Sequence, residues 1–273
     1  MGFRPRKQFG QHWLKSELVL DTIVKAAALQ SGDRLLEIGP GTGILTQRLL
    51  LEIDALVAVE IDRDLCQKLV KSFGKRDNFL LLQGDILSLN LQEYLKSFHP
   101  FTNPNKVVAN IPYNITGPIL EKLLGTIVNP NPRPYQSIVL LMQKEVAERL
   151  VAIPSSKAFG GLTLRVQYLA HCEWICPVAA KDFYPVPKVD SAVVRLIPYT
   201  IDKPARNPSQ LETLIKLGFG SRRKMLRNNL KSVIEGDNLA EVLEQLQINP
   251  DCRGEDLSLS QWISLSNLLD FAI

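Results

Sequence analysis

The segment from Glu37 to Gly43 constrains the fold of this chain more than any other feature of its sequence. It follows the apolar pair Leu35-Leu36, reads EIGPGTG, and is followed directly by the amphipathic segment Ile44 to Leu51. A strand, a glycine turn and a helix start in this order bring backbone N–H groups to a place where they can meet a cofactor. The glycines are spaced G-x-G-x-G, and the third glycine of a dinucleotide fingerprint is replaced by Ile44 or Thr46. The turn therefore favours a nucleoside cofactor without a pyrophosphate over a nicotinamide dinucleotide.

Apolar, β-rich runs alternate with helical patterns around this turn, as expected for a parallel sheet with crossover helices. The predicted strands are Arg34–Ile38, Ala55–Glu60, Phe79–Gln83, Lys106–Asn110, Ser137–Met142, Cys172–Cys176 and Ser191–Pro198. The helices predicted with them are Leu18–Leu29, Ile44–Leu51, Arg63–Phe73, Leu91–Ser97, Thr116–Leu124 and Lys144–Val151. This pattern predicts the α/β class, with a Rossmann-like, doubly wound sheet.

The final part of the chain shows a different pattern. The segment from Asp202 to Pro208 is rich in proline and charge and is typical of a linker. The elements predicted beyond it are all helices, at Gln210–Phe219, Arg222–Glu235, Leu239–Leu246 and Leu259–Leu269. We therefore expect a larger α/β domain over residues 1–201 and a small all-α domain over residues 202–273.

Composition is that of an ordinary soluble globular protein. Of the 273 residues, 45% are hydrophobic and 22% are charged. There is no apolar run of about 18 residues, so we expect a cytoplasmic protein that does not enter a membrane. The four cysteines form no C-x-x-C pair and the three histidines are scattered, which argues against a zinc site and favours chemistry without a metal. We expect a monomer because no apolar heptad is obvious.

Polar residues follow or end four of the predicted strands. In chain order these strand ends are Gly39, Glu60-Ile61, Asp85-Ile86 and Asn110. Because ligands bind at the carboxyl ends of strands in such sheets, Glu60 is placed to accept hydrogen bonds from both ribose hydroxyls of a nucleoside. Asp85 can accept one from an adenine amine. Any one of these residues alone is more often a helix cap or a surface acid, but their occurrence at successive strand ends favours a nucleoside site.

The clearest chemical signal is Asn110-Ile111-Pro112-Tyr113. Together with the glycine turn and the strand-end acids, it resembles the class I S-adenosylmethionine-dependent methyltransferases that act on adenine or glutamine amines. An adenine amine is a poor nucleophile because its lone pair is delocalised into the ring. The Asn110 side-chain oxygen and the Ile111 carbonyl can accept hydrogen bonds from the amine and so favour a pyramidal nitrogen. The alternative interpretation is a surface Asn-x-Pro turn.

Two neighbours complete this predicted catalytic set. We expect a cis or strained turn at Pro112 that aims the carbonyl of Ile111. Tyr113 offers an aromatic face on which an extruded base can stack.

Three further segments resemble one family within this class. They are KQFGQHWL at residues 7–14, DFYPVPKVDS at residues 182–191 and LGFGSRRKMLRNNL at residues 217–230. With them the chain is identified as similar to the small-subunit ribosomal RNA adenine N6,N6-dimethyltransferases of the KsgA type. His12 and Trp13 stand where that family more often has asparagine and phenylalanine.

The resemblance implies an activity, a cofactor and further site residues. The expected reaction dimethylates the exocyclic amines of two adjacent adenosines in a 3'-terminal hairpin of 16S rRNA, with S-adenosyl-L-methionine as the methyl donor, during small-subunit biogenesis. Phe183 is expected to face Tyr113 across the target adenine, and a core position beside the proline turn is the alternative. The cofactor contacts expected from the strand ends and the resemblance are His12, Leu14, Gly39, Gly41, Gly43, Glu60, Ile61, Asp85, Ile86 and Asn110.

Two segments concentrate positive charge although the net charge is only +4. Residues 1–15 and 219–231 contain basic residues and no acidic ones. On charge alone each is either a solvated surface or a phosphate-binding patch, and an RNA substrate favours the second interpretation. The predicted RNA contacts are Arg4, Arg6, Lys7, Arg222, Arg223, Lys224 and Arg227, the last four spaced over about two turns of one helix. The implied partner is small-subunit ribosomal RNA within a partly assembled 30S subunit.

Four alternatives remain open at this point. A large-subunit rRNA dimethyltransferase of the macrolide-resistance type shares the cofactor motifs, but the segment from Arg222 to Leu230 argues against it. A DNA adenine methyltransferase shares the Asn110 motif, yet the chain shows no extra target-recognition domain. A ribosome-assembly factor with secondary methylation is the third. A nicotinamide dehydrogenase is the fourth, and the glycine spacing disfavours it.

Overall fold

A computed structural model of the protein describes residues 5–6 and 9–269. Within it the chain forms two compact units. The first unit comprises the residues up to Leu123 with Arg133–Ala147 and Cys172–Pro198. The second comprises Leu124–Pro132, Glu148–His171 and the residues from Tyr199 onward. The division after Pro198 lies near the domain boundary expected at residue 201, but the second unit also takes in two segments that the sequence analysis assigned to the first domain.

The strands, in chain order, are β1 (Trp13–Leu14), β2 (Arg34–Ile38), β3 (Ala55–Glu60), β4 (Phe79–Gln83), β5 (Lys106–Asn110), β6 (Ser137–Gln143), β7 (Ala170–Val178), β8 (Phe183–Tyr184) and β9 (Ser191–Pro198). The α-helices are α1 (Glu17–Ala27), α2 (Ile44–Leu49), α3 (Arg63–Phe73), α4 (Leu91–Leu95), α5 (Thr116–Leu124), α6 (Lys144–Leu150), α7 (Gly161–Leu169), α8 (Pro208–Gly218), α9 (Leu226–Leu230), α10 (Gly236–Gln245) and α11 (Leu259–Leu268).

Seven strands form one sheet in the order β4-β3-β2-β5-β6-β9-β7. Strands β2 to β6 pair in parallel, whereas β9 runs antiparallel to β6. The short strands β1 and β8 form a separate antiparallel pair in which Trp13 lies opposite Tyr184. The chain leaves β2 for β3 on one side and returns to β5 on the other. The carboxyl ends of β2 and β5 therefore flank a topological switch point, which is where such sheets bind ligands.

Apolar runs at the centre of the sheet place the polar residues at strand ends. Every residue of β3 is buried, as are all residues of β5 except Asn110. Such continuous burial is typical of parallel strands covered on both faces. Helix α1 packs against β5, β6 and β9, and α3 packs against β3 and β4. Glu60 and Asn110 end their strands and so lie at the same edge of the sheet.

The predicted strands and most predicted helices are confirmed, with ends that differ by no more than three residues. The predicted helix Arg222–Glu235 is wrong. Helix α9 covers only Leu226–Leu230, and residues 222–224 lie in the turn that precedes it. Helix α7 and the short strands β1 and β8 are not predicted by the sequence pattern.

The second unit has a core of its own. Helices α7 to α11 pack on one another, and Trp262 of α11 is fully buried with its indole N–H donating to the Gly254 carbonyl at 3.2 Å. Residues 202–269 form helices and turns but no strand, as predicted. Across the described ranges, no helix is both long and apolar enough to cross a membrane.

Candidate active site

A pocket opens at the carboxyl ends of the central strands, within the first unit. It measures about 730 Å³ with its open mouth included, a size typical of small-molecule sites. The predicted residues that line it are His12, Gly39, Gly41, Glu60, Ile61, Asp85, Ile86, Asn110, Ile111, Pro112 and Tyr113. The strand ends that the sequence pattern singled out therefore meet at one site.

The glycine turn forms one wall of the pocket. Gly41 has φ +59°, and a Cβ atom there would lie 3.1 Å from Cδ1 of Trp13. Only glycine combines this left-handed backbone with such a close approach. The Gly41 N–H donates to Oε2 of Glu60 at 3.0 Å. The turn is thus held in shape by the same carboxylate that was predicted to bind a ribose.

Gly43, predicted to contact the cofactor, lies elsewhere. It has φ +84°, and a Cβ atom there would come within 2.7 Å of the Phe73 ring and 3.0 Å of Leu69. Gly43 is not among the residues that line the pocket. Its position allows the start of α2 to pack closely against α3.

Two strand-end carboxylates also line the pocket. Glu60 is buried and accepts hydrogen bonds from the backbone N–H groups of Gly41 and Asp62. Burial raises the pKa of Glu60, and these two hydrogen bonds oppose the rise. Asp85 is half-buried, and its Oδ1 accepts from the Leu87 N–H at 2.9 Å. Each carboxylate keeps acceptor capacity for a ligand hydroxyl or amine because each oxygen carries two lone pairs.

The side-chain amide of Asn110 has a defined orientation. Its Nδ2 donates to the backbone carbonyl of His12 at 3.0 Å. A carbonyl can only accept, so the NH₂ group must face His12, and Oδ1 is the atom left to accept a hydrogen bond from a ligand. Ile111 is buried beside it. The peptide bond before Pro112 is trans and Pro112 has an ordinary extended backbone (φ −60°, ψ 133°), which corrects the expectation of a cis or strained turn there.

His12 and Tyr113 form an aromatic wall next to Asn110. Their rings are nearly parallel, with centroids 5.6 Å apart and an interplanar angle of 14°. His12 Nδ1 lies 2.7 Å from the Pro185 carbonyl oxygen, which fixes the proton on Nδ1. The Tyr113 hydroxyl lies 2.7 Å from Oγ of Ser191. Burial raises the pKa of Tyr113, so its hydroxyl stays protonated.

Phe183, predicted to face Tyr113, is not at the pocket. Its side chain is fully buried and belongs to the hydrophobic core with Leu14 and Val193. It does not line the pocket in this structure. The core position beside the proline turn, the alternative in the sequence analysis, is the one observed.

A smaller adjoining cavity extends the site on the far side of the glycine turn. It measures about 410 Å³ with its open mouth included, and Leu14, Trp13 and Glu37 are among the residues that line it. Glu37 is fully buried, and this burial raises its pKa to about 8, although the Thr46 hydroxyl donates to it at 2.7 Å. Trp13 Nε1 is buried and has no hydrogen-bond acceptor in the described part of the chain. A cavity with one glutamate side chain and an indole N–H that lacks an acceptor fits a ligand with both donor and acceptor groups, as S-adenosylmethionine has.

Further residues at or beside the site were not predicted individually, among them Gln11, Trp13, Glu37 and Ser191. Gln11 Nε2 donates to Asp62 Oδ2 at 3.0 Å, which ties the N-terminal segment to the end of β3. Gln11, Trp13 and Ser191 lie in segments that carried the family resemblance, and Glu37 begins the glycine segment. Their positions were thus marked in the sequence, but their individual roles were not.

The predicted RNA contacts have different environments. Arg4 and Lys7 lie outside the described residues. Arg6 forms ion pairs with Asp62 and Asp64. In the second unit Arg222 donates to the carbonyls of Lys157 and Phe159 and to the Glu255 carboxylate, and Arg227 pairs with Asp251 at 3.1 Å. Arg223 and Lys224 are exposed in the turn before α9, not on a helix as predicted.

Comparisons with known proteins give consistent findings. The family model for ribosomal RNA adenine dimethylase matches residues 2–270. The ribosomal RNA small subunit methyltransferase A of Nostoc punctiforme is 66% identical over 98% of this chain and 96% of its own length. That of Synechocystis is 57% identical over 98% of each chain. A dimethyladenosine transferase from Plasmodium falciparum has a TM-score of 0.75 at 27% identity over 92% of this chain and 95% of its own. The 23S rRNA methyltransferase ErmE, with a TM-score of 0.72 and 24% identity over 94% of this chain and 99% of its own, shares the fold.

Proposed function

Since this chain belongs to the ribosomal RNA adenine dimethylase family, we propose that its pocket holds S-adenosyl-L-methionine and one target adenosine side by side. The protein is an S-adenosylmethionine-dependent rRNA adenine dimethyltransferase. The proposed targets are two adjacent adenosines in the 3'-terminal hairpin of 16S rRNA. Near full-length relatives named for the small subunit support that substrate.

The strand-end carboxylates would hold the cofactor. Glu60 accepts hydrogen bonds from the ribose hydroxyls, and Asp85 accepts one from the adenine amine of the cofactor. Ile61 and Ile86 line the same pocket and supply apolar contacts to the adenine. When bound, S-adenosyl-L-methionine supplies a methyl group activated by its sulfonium.

Asn110 carries the proposed chemistry. Its Nδ2 is bound to the His12 carbonyl, so its Oδ1 accepts a hydrogen bond from the target amine. This bond, with one to the Ile111 carbonyl, localises the nitrogen lone pair toward the methyl group. The nitrogen forms its bond to carbon as the carbon–sulfur bond breaks, and its surplus proton leaves to solvent. The oriented amide of Asn110 is the observation on which this proposal chiefly depends.

Tyr113 would hold the target base by stacking. His12 lies against it, with ring centroids 5.6 Å apart. A base stacked between two rings needs about 7 Å between them, twice the ordinary stacking distance, so the two rings must separate to admit an adenine. Phe183 is proposed only as a core support for this wall, since its ring is fully buried.

The RNA would be bound mainly through its phosphates. We propose that the domain after residue 201 contributes Arg223 and Lys224, which are exposed, and that the basic N-terminal segment adds further contacts. A partly assembled 30S subunit in the cytoplasm is the proposed form of the substrate, with a single copy of this chain bound to it.

Mass spectrometry of rRNA nucleosides tests this function. Purified protein is incubated with S-adenosyl-L-methionine and small subunits that lack the modification, beside an Asn110→Ala variant. We expect dimethyladenosine in 16S rRNA with the unchanged protein and at least a hundredfold less with Asn110→Ala, the order of effect of removing one transition-state hydrogen bond. Asn90→Ala is the matched control because Asn90 only caps α4.

The choice of RNA separates the alternatives. Bare 16S rRNA, partly assembled subunits and mature 30S subunits are compared in parallel with 23S rRNA. Product on 23S rRNA alone would show that the protein methylates the large subunit and not the small one. Tight binding to small subunits without product on any RNA would indicate an assembly factor.

A further inference from the structure

Ser191 makes a contact whose purpose the proposed reaction does not yet explain. It is the first residue of β9 and ends the segment DFYPVPKVDS. Its side chain is fully buried, and its Oγ lies 2.7 Å from the hydroxyl oxygen of Tyr113. A buried hydroxyl pair at this distance is a well-formed hydrogen bond.

The sheet fixes the position of Ser191. Strand β9 pairs with β6 so that Ser191 lies opposite Gln143, and β6 in turn pairs with β5 so that Leu141 lies opposite Asn110. The strand that ends in Asn110 and the strand that begins with Ser191 are therefore held in register through one shared neighbour. Tyr113 follows Asn110 by three residues, in a short 3₁₀ turn.

The segment that precedes Ser191 also reaches the site. The carbonyl of Pro185 binds Nδ1 of His12 at 2.7 Å, and the carbonyl of His12 binds the amide of Asn110 at 3.0 Å. The Pro185 to Ser191 segment thus contacts both rings of the aromatic wall, His12 through the Pro185 carbonyl and Tyr113 through Ser191.

We propose that Ser191 is a positioning residue that fixes the tilt of the Tyr113 ring against the target adenine. This inference rests on the proposed function, in which Tyr113 stacks on that base. The ring is attached to the backbone at one end, and the bond to Ser191 restrains its other end. With both ends held, the long axis of the ring cannot swing, and the base stacked on it keeps the orientation that aligns its amine with the methyl group.

The second methyl transfer depends most on this restraint. After the first transfer the nitrogen is bulkier and keeps one hydrogen, so fewer orientations of the base permit attack. A Tyr113 ring whose axis is free to swing therefore slows the second transfer more than the first. Loss of the Ser191 bond is expected to increase the ratio of monomethyl to dimethyl product.

The test uses Ser191→Ala, Tyr113→Phe and the double variant on unmodified small subunits. Each single variant removes the same hydrogen bond from one side, and Tyr113→Phe keeps the stacking face. We expect each to lower kcat for the second transfer about tenfold, leave KM for S-adenosyl-L-methionine unchanged and raise the monomethyl fraction. In the double variant, kcat for the second transfer should fall no further than in either single variant, because the two groups act through one bond. Ser191→Thr, which keeps the hydroxyl, should restore the product ratio.

Ser137→Ala is the matched control. Ser137 begins the neighbouring strand β6, and its Oγ is buried without a hydrogen-bond partner in the described residues. Its loss should leave the rate and the product ratio unchanged. If Ser191→Ala unfolds, Tyr113→Phe still tests the bond from the other side. Equal product ratios in Tyr113→Phe and the unchanged protein, or additive losses in the double variant, would overturn the role of Ser191. Failure of the proposed function is a distinct result, since the unchanged protein would then give no dimethyladenosine.

Discussion

Glu37 and Glu60 are two buried glutamates on either side of the same glycine turn, and their environments differ. Glu60 accepts hydrogen bonds from two backbone N–H groups and lines the pocket. Glu37 is fully buried and accepts a hydrogen bond from the Thr46 hydroxyl. Burial raises the pKa of Glu37 to about 8, and the nearby charge of Glu60 adds to the rise. Glu37 is therefore mostly protonated at neutral pH.

This gives a stability prediction for Glu37→Gln. Between a pKa of about 4.5 in the unfolded chain and about 8 in the folded one, the native state keeps a proton that the unfolded state releases. The free energy of unfolding contributed by Glu37 therefore falls as pH rises through this window. Glutamine still accepts from Thr46 but does not titrate. The variant should be more stable than the unchanged protein by at least 1 kcal/mol near pH 8, with a smaller difference near pH 5.

Urea unfolding across this pH range measures the effect. Glu93→Gln is the control, because Glu93 is an exposed partner of Lys96 and should give no such trend. A constant difference between Glu37→Gln and the unchanged protein at all pH values would contradict the buried, protonated state of Glu37.

At the residue scale the sequence predicts the pocket better than it predicts the individual contacts around it. Glu60, Asp85 and Asn110 could be placed because each ends or closely follows a parallel strand, and the carboxyl ends of such strands share one edge. Ser191 could not, because its approach to Tyr113 depends on the register of the antiparallel strand β9. Phe183 was expected at the pocket because the family resemblance of its segment implied that position. Successive residues of a strand point to opposite faces, however, and the Phe183 ring faces the core.

At the scale of elements, the close packing of α2 against α3 depends on Gly43. A Cβ atom at this position would overlap the Phe73 ring at 2.7 Å. Phe73 cannot easily move away, because it is buried and packs edge-on against Phe79 with ring centroids 5.6 Å apart. The third glycine of the turn thus serves helix packing, and the first two shape the pocket.

Gly43→Ala should accordingly destabilise the protein by about 3 kcal/mol, from the left-handed backbone and the overlap together. Gly32→Ala is the matched control, because Gly32 has φ +88° with nothing within 4 Å of its added Cβ, so only the backbone cost of about 1 kcal/mol applies. Denaturant unfolding of both variants measures the difference. Equal losses of stability in the two variants would show that the overlap between the added Cβ atom and Phe73 is relieved at no cost in free energy.

Element prediction succeeds where burial and pattern agree. Strands β2 to β5 were predicted to the residue, because each is a short apolar run bounded by polar or glycine residues. The helix expected from Arg222 to Glu235 fails because its first residues have other partners. Arg222 donates to two backbone carbonyls and to Glu255, which fixes it in a turn. Hydrogen bonds to residues far away in the sequence, such as these, are not visible in local periodicity.

At the scale of the whole molecule, the described basic residues predicted to bind RNA divide into those that form an ion pair and those that do not. Arg6, Arg222 and Arg227 each form an ion pair with an aspartate or glutamate. Such pairs reduce the net field that an RNA phosphate meets. The exposed side chains of Arg223 and Lys224 are next to one another in the turn before α9. Sequence charge counts treat these residues alike, so only the structure separates them.

Arg223 and Lys224 should therefore contribute more to the RNA affinity than their share of the positive charge. Replacing Arg223 and Lys224 together by alanine removes two phosphate contacts, and each contact contributes roughly 0.7 to 0.9 to the slope of log affinity against log salt. We expect the slope to fall by about 1.5 while the melting temperature and the S-adenosyl-L-methionine affinity stay the same. Arg222→Ala should instead destabilise the second unit, because it leaves the carbonyls of Lys157 and Phe159 without this donor.

Binding to small subunits measured at several salt concentrations tests this difference. The control is Lys71→Ala with Lys75→Ala, which removes the same charge from exposed positions at the end of α3. If the slope falls equally in both double variants, the affinity depends on net charge alone and the turn before α9 has no special role. A fall confined to the Arg223 and Lys224 variant places phosphate at that turn, because counterion release is counted only where a contact forms.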